Sequence, residues 1–211
     1  MRIFWKEMSS SGDMKRNLCV FCASNMGTRE EYRVAAEELG KALVEAGYGL
    51  VYGGATVGLM GAVADAVIHA GGEVIGVIPQ VLMKQEVAHT GLTELHVVGS
   101  MHERKALMAS RSDAFVALPG GFGTLEEFCE VLTWLQLRIH NKPCLLLNVC
   151  GYYDGLLTFL DHAVAEGTLK AKNRALILVA NTVQDALAQI AAAWAQLAET
   201  KPAENPLGLQ P

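Results

Sequence analysis

AFVALPGGFGTLEEF, residues 114–128, runs from a continuously apolar segment through a proline and three glycines into an apolar helical pattern that opens with two carboxylates. A short, uninterrupted apolar run bounded by turn residues reads as a strand buried on both faces, and the 3.6-residue pattern after it reads as a helix. The glycine-rich corner between them is either a plain turn or a place where backbone meets a ligand.

The same rhythm extends outward from this unit. NLCVFCAS, YGLVYGG, EVIGVIP, ELHVVGS, CLLLNV and ALILVA read as further strands. Helical patterns lie among them: REEYRVAAEELGKALVEAG, GLMGAVADAVIHAG, MHERKALMASRS, YYDGLLTFLDHAVAEG and TVQDALAQIAAAWAQLAE. Continuously apolar strands alternating with helices imply an α/β fold: a doubly wound, Rossmann-like parallel sheet with helices on both faces. Ligands of such folds sit outside the carboxyl ends of the strands, near a switch in strand order. The informative residues are therefore those that follow the strands: 24–27, 53–56, 79–89, 99–101 and 120–124.

At 211 residues the chain suits one α/β domain, expected over residues 17–200, with a flexible leader at 1–16 and a disordered, proline-containing tail, KPAENPLGLQP, at 201–211. The composition is 51% hydrophobic, yet no stretch approaches the roughly 18–20 uncharged apolar residues of a membrane helix. A net charge of -5 argues against a broad nucleic-acid face, which needs clustered Lys and Arg. Nor does the amino-terminal stretch resemble a signal peptide. Five cysteines, an odd number found mostly in apolar runs, indicate reduced thiols and a cytoplasmic protein. Cys19 and Cys22 form a CxxC within a strand, where positions i and i+3 face opposite ways, so core packing is preferred to a shared metal or redox pair. Six histidines show no metal-ligand spacing; His102, beside MHERK, is the one worth checking.

Glycines at a strand-to-helix junction let backbone N–H groups converge on an anion, and the following helix N-terminus adds partial positive charge. GGFGT lacks the Lys-Ser/Thr of a P-loop and the spacing of GxGxxG, so a monophosphate fits better than a triphosphate or dinucleotide. A tight turn followed by a capping box, with Thr124 as N-cap and Glu127 reaching back to its amide, is an equal alternative. Gly53, Gly54 and Gly58 suggest a second close approach of backbone to ligand on the same rim. A carboxylate such as Glu127 beside a phosphate needs a cation nearby. Arg104 and Lys105 of MHERK (101–105) open the helix after ELHVV, where the macrodipole disfavours cations, which suggests a purpose beyond helix formation. The helix TLEEFCEVLTWLQLRIH is apolar on nearly every side beyond its first turn. It is expected in the core or against a second subunit, and a homodimer through it would bring Thr133 and Trp134 to a shared rim.

PGGFGTLEE at 119–127 matches PGGxGTxxE, and MHERK precedes it at the expected separation. Together they resemble the Lonely Guy family of cytokinin riboside 5'-monophosphate phosphoribohydrolases, once mislabelled as lysine decarboxylases. The resemblance runs from about Leu18 to Trp194 and takes in GGATVGLMG and IPQVLMKQEV. It implies hydrolysis of the N-glycosidic bond between a purine base and ribose 5-phosphate, with no metal and no other cofactor, by dimers or larger assemblies acting on a nucleoside 5'-monophosphate. The residues it implies for catalysis are Arg104 and Glu127. Substrate contacts fall by similarity on Glu86, Arg104, Lys105, the run Gly121, Phe122, Gly123, Thr124, Leu125, Glu126 and Glu127, and Thr133. Gly120 and Ser24 join the candidates, although CASNMG departs from the glycine-serine start often found in the family. In this reading Glu127 stabilises the oxocarbenium-like sugar and orients or deprotonates water. Arg104 holds phosphate or ribose oxygens and offsets their repulsion of Glu127. Backbone amides of 121–124 hold the phosphate, and Glu86 binds ribose hydroxyls or the base edge. The competing expectation is a non-catalytic nucleotide or molybdenum-cofactor carrier on the same fold.

Overall fold

The computed structural model describes residues 16–83 and 88–199. The expected tail, and all of the expected leader but its last residue, lie outside the described residues. The strands are β1 (Asn17–Phe21), β2 (Gly49–Tyr52), β3 (Val74–Pro79), β4 (Glu94–Val98), β5 (Ala114–Ala117), β6 (Cys144–Leu147) and β7 (Ile177–Ala180). The helices are α1 (Glu30–Glu45), α2 (Gly58–His69), α3 (Met101–Ser110), α4 (Phe122–Gln136), α5 (Asp154–Ala165), the single-turn α6 (Ala171–Arg174) and α7 (Val183–Glu199). All strands pair in parallel, in the order β4-β3-β2-β1-β5-β6-β7.

The chain leaves β1 toward β4 and then returns to the other side of β1 to build β5, β6 and β7. Right-handed crossovers send helices to one face in the first direction and to the opposite face in the second. Accordingly α1 and α2 pack on one face, and α3, α4 and α5 on the other; α7, which follows the last strand, packs on the first face. Strand side chains alternate between the two cores. Leu18, Val20, Leu50, Tyr52, Val116 and Leu145 face the first, while Cys19, Phe21, Val51, Phe115 and Leu146 face the second. Both faces of the inner strands are covered, which is why these read as continuous apolar runs, whereas β4 at the edge is partly exposed. Cys19 and Cys22 fall in different cores, as the CxxC geometry requires, and burial pushes both thiols upward.

Fully buried side chains such as Leu39, Leu43 and Phe115 each contribute about 2–3 kcal/mol, whereas exposed pairs such as Arg33–Glu30 are screened by solvent and add little. The core therefore holds the fold. On its first face Gly40 lets α1 lie close to α2, because a Cβ there would stand 2.7 Å from both the Ala66 Cβ and the Val63 carbonyl oxygen.

His140 joins α4 to β6. Its Nε2–H donates to the Val131 carbonyl (2.9 Å), and its Nδ1 accepts from the Lys142 amide (3.0 Å), which defines a neutral imidazole. Burial, assisted by the Lys142 charge and opposed by the Val131 bond, pulls its pKa from 6.5 to about 4. Between these values the unfolded chain binds a proton that the folded chain does not, so stability rises with pH across the window. The contribution is complete above about pH 6.5 and fades as pH falls toward 4, by at most roughly 3 kcal/mol. Urea midpoints measured from pH 4 to 7 are expected to slope upward, and to slope less in His140→Gln.

Candidate active site

The switch in strand order lies between β1 and β5, so the loops at their carboxyl ends face each other across a crevice. They are tied together: the Ala23 amide donates to the Pro119 carbonyl (3.1 Å) and the Leu118 amide to the Phe21 carbonyl (3.0 Å).

The helix after the corner begins earlier than the capping-box expectation has it. Gly121 is the N-cap, α4 starts at Phe122, and Thr124 lies buried inside the first turn. Packing is the reason. A Cβ on Gly120 would stand 2.0 Å from Thr124 Oγ1, so the threonine tucks against that glycine and cannot cap. Glu127 does not reach back to Thr124 either; it faces Arg104. The glycines of the corner then separate by role. Gly120 is required by packing, whereas a side chain on Gly121 or Gly123 would meet nothing within 4 Å. Neither has a positive φ. Their bareness answers no need of the fold, which suits a backbone left open to a ligand.

Arg104 comes from α3, whose entry is set by reciprocal capping. Ser100 Oγ accepts from the Glu103 amide (3.1 Å), and Glu103 Oε2 accepts from the Gly99 amide (2.8 Å). The guanidinium runs inward over the strand ends. Nε–H donates to the Val77 carbonyl within β3 (3.1 Å), and Nη1 stands 3.2 Å from Glu127 Oε1. Both residues are buried, with Arg104 7% and Glu127 8% exposed. Gly53 makes room for this path, since a Cβ there would lie 2.3 Å from Arg104 Nη2. The glycine expected to admit ligand instead admits a side chain. Gly58 is likewise occupied by protein, because a Cβ on it would run into the Ser24 and Asn25 backbone at 2.2–2.3 Å. Arg104 and Glu127, far apart in sequence, thus form one buried ion pair beside the open glycine corner.

The other candidates divide. Lys105 turns to the outer side of α4, pairing with Glu126 and with Glu130 (3.1 Å). Partial burial alone would lower its pKa; these carboxylates outweigh that and raise it. Phe122, the first residue of α4, is 94% exposed beside the corner, and Leu125 packs partly against the core. Ser24 is exposed at the mouth of the crevice, and Glu86 lies outside the described residues. Thr133 is not brought to the pair. Six residues beyond Glu127 is about 240° around the helix, and its hydroxyl donates to the Cys129 carbonyl (2.7 Å) on an exposed face. α4 is buried along one stripe, Thr124, Glu127, Phe128 and Val131, with Trp134 partly packed; Glu126, Cys129 and Thr133 face outward. His102 is exposed.

Sequence reasoning missed two tyrosines. Tyr152 and Tyr153, just past β6, donate their hydroxyls to the Gly120 carbonyl (2.8 Å) and the Leu118 carbonyl (2.6 Å). Their only signal was position: the same rim rule that selected the other corners applies to the residues after the sixth strand. Among the described residues, no group of three or more His, Cys, Asp or Glu is placed to hold a metal, and no helix is long and apolar enough to cross a membrane.

A family model described as "Possible lysine decarboxylase" matches residues 60–190. A cytokinin riboside 5'-monophosphate phosphoribohydrolase of Arabidopsis thaliana is 51% identical over 175 residues, which is 83% of this chain and 81% of that protein. One from Oryza sativa subsp. japonica is 54% identical over 170 residues, 81% of this chain and 70% of that protein. Among solved structures, the molybdenum cofactor carrier protein of Chlamydomonas reinhardtii aligns with TM-score 0.65 at 26% identity, over 86% of this chain and 99% of that one. The molybdenum cofactor binding protein of Rippkaea orientalis aligns with TM-score 0.64 at 21% identity, over 84% and 96%, a likeness of fold alone.

Proposed function

From the premise that this chain belongs to the Lonely Guy family of cytokinin riboside 5'-monophosphate phosphoribohydrolases, we propose that it hydrolyses the N-glycosidic bond of N6-modified adenine riboside 5'-monophosphates. The products are the free base, an active cytokinin, and ribose 5-phosphate. The observation that carries this reading is the buried Arg104–Glu127 pair beside the glycine corner. A carrier needs anion-binding amides but no carboxylate next to the phosphate, whose charge would repel it.

In the reaction water adds across the C1'–N bond, its hydroxyl going to C1' and its proton to the base. Positive charge grows on the sugar as the bond opens. Glu127 faces that charge and draws a proton from the attacking water. Arg104, tied to the Val77 carbonyl, holds the carboxylate in place and balances it against the phosphate. The amides of Gly121, Phe122, Gly123 and Thr124 receive the 5'-phosphate at the start of α4. In this reading Arg104 positions Glu127 more than it grips phosphate, because its Nε–H is held by the Val77 carbonyl while its Nη1 faces the carboxylate.

We read residues 17–200 as one cytoplasmic domain that works as a homodimer through the outer face of α4. The exposed Thr133 then serves a neighbouring chain's site, and buried reduced thiols such as Cys19, Cys22 and Cys144 suit that compartment. The test is incubation of the purified protein, without added metal, with AMP and isopentenyladenosine monophosphate, followed by chromatography. Free base and ribose 5-phosphate, faster from the N6-modified substrate, are expected. Nucleotide binding with no base released would overturn the hydrolase reading in favour of a carrier.

A further inference from the structure

Three successive carbonyls of the glycine corner are held by donors from outside it: Leu118 by the Tyr153 hydroxyl (2.6 Å), Pro119 by the Ala23 amide (3.1 Å) and Gly120 by the Tyr152 hydroxyl (2.8 Å). No peptide bond among the described residues is cis. In a trans peptide the carbonyl of one residue and the N–H of the next point in opposite directions. Holding the Gly120 carbonyl toward Tyr152 therefore turns the Gly121 N–H away from it, to the far side of the loop. Without a Cβ to restrain it, a glycine corner would otherwise sample many orientations of that amide.

Tyr152 is itself well fixed. The turn before it carries Cys150 at φ 52° and Gly151 at φ 71°. Buried Asn148 spans that turn, accepting from the Tyr153 amide (2.7 Å) and donating to Asp154 Oδ1 (2.8 Å). The Tyr152 ring packs edge-on against Tyr32 at 5.5 Å and Tyr153 at 5.0 Å. Tyr32, Tyr152, Gly120 and Gly121 line a small cavity, about 90 Å³, with Asn25 and Gly27.

We propose that Tyr152 is a positioning residue for the 5'-phosphate subsite, its hydroxyl holding the Gly120–Gly121 peptide so that the Gly121 amide faces the bound phosphate. The inference rests on the phosphoribohydrolase reading and adds a residue that acts on binding rather than on bond cleavage. Tyr152→Phe isolates it, because the ring contacts remain and only the hydroxyl is lost.

The experiment compares full-length wild type and Tyr152→Phe with isopentenyladenosine monophosphate as substrate and inorganic phosphate as competing ligand. One hydrogen bond held by a neutral donor corresponds to roughly a 3- to 10-fold change. KM is expected to rise by about that factor and inhibition by inorganic phosphate to weaken in parallel, with kcat within about twofold. An unchanged KM and phosphate inhibition would overturn the proposal. So would a fall in kcat that tracks loss of folded protein in a thermal melt, since that marks a merely structural tyrosine. If wild type releases no base, the functional reading fails separately, and calorimetric binding of inorganic phosphate still decides Tyr152: weaker in the variant supports it, equal or absent in both sinks it.

Discussion

Glu127→Gln is expected to lower kcat for base release by about three orders of magnitude while nucleotide binding changes only a few-fold. The substitution keeps the shape of the side chain and a polar group facing the Arg104 guanidinium at the 3.2 Å contact. What it removes, on the proposed mechanism, is the negative charge facing the developing oxocarbenium and the basicity that takes a proton from water. Both act mainly in the transition state, so the loss belongs in kcat more than in KM. Equilibrium binding of AMP together with single-turnover release of base separates the two. Loss of binding along with activity would sink the catalytic role and make Glu127 a structural anchor for α4.

Arg104→Met is expected to be nearly as damaging to activity and more damaging to the fold than Glu127→Gln, in which a polar amide still faces a guanidinium held through Nε by the Val77 carbonyl. Arg104 and Glu127 are both buried, so removing the cation takes away the positive charge that faces this carboxylate in the protein interior. Breaking such a pair from one side costs on the order of 3–5 kcal/mol. The double variant Arg104→Met with Glu127→Gln is then expected to be more stable than Arg104→Met alone, because the carboxylate charge is gone while activity stays lost. Urea midpoints of the two single variants and the double complete the cycle. Strict additivity would refute coupling across this contact. Arg104→Lys is expected to recover little, since one ammonium cannot reproduce the planar fork that donates through Nε to Val77 while Nη1 faces Glu127.

The inner strands were legible because they are buried on both faces, unlike β4 at the sheet edge. Burial on two sides writes an uninterrupted apolar run, as in VIGVIP of β3 or CLLL of β6, and glycine or polar residues punctuate its end. α6 was missed, since a single turn leaves no periodicity to detect. The capping box at Thr124 went wrong for a related reason. T-x-x-E is a local pattern, but the start of α4 was decided by a contact between Gly120 and Thr124 that the pattern does not encode.

The site divides along the same line. From the sequence came the doubly wound fold, the rim of strand ends where a ligand is expected, the glycine corner at Gly120 to Thr124 and the expectation of a cation near Glu127, because periodicity, turn chemistry and charge repulsion are properties of neighbours along the chain. The motif resemblance pointed to Arg104 as that cation, and the tertiary structure alone decided how it is held. Arg104 passes over bare Gly53 to the Val77 carbonyl and Glu127, Lys105 is drawn away to Glu126 and Glu130, and Tyr152 reaches back 32 positions to the Gly120 carbonyl. These are contacts between strand ends brought together by the order β3-β2-β1-β5-β6, and distance in space there owes nothing to distance in sequence.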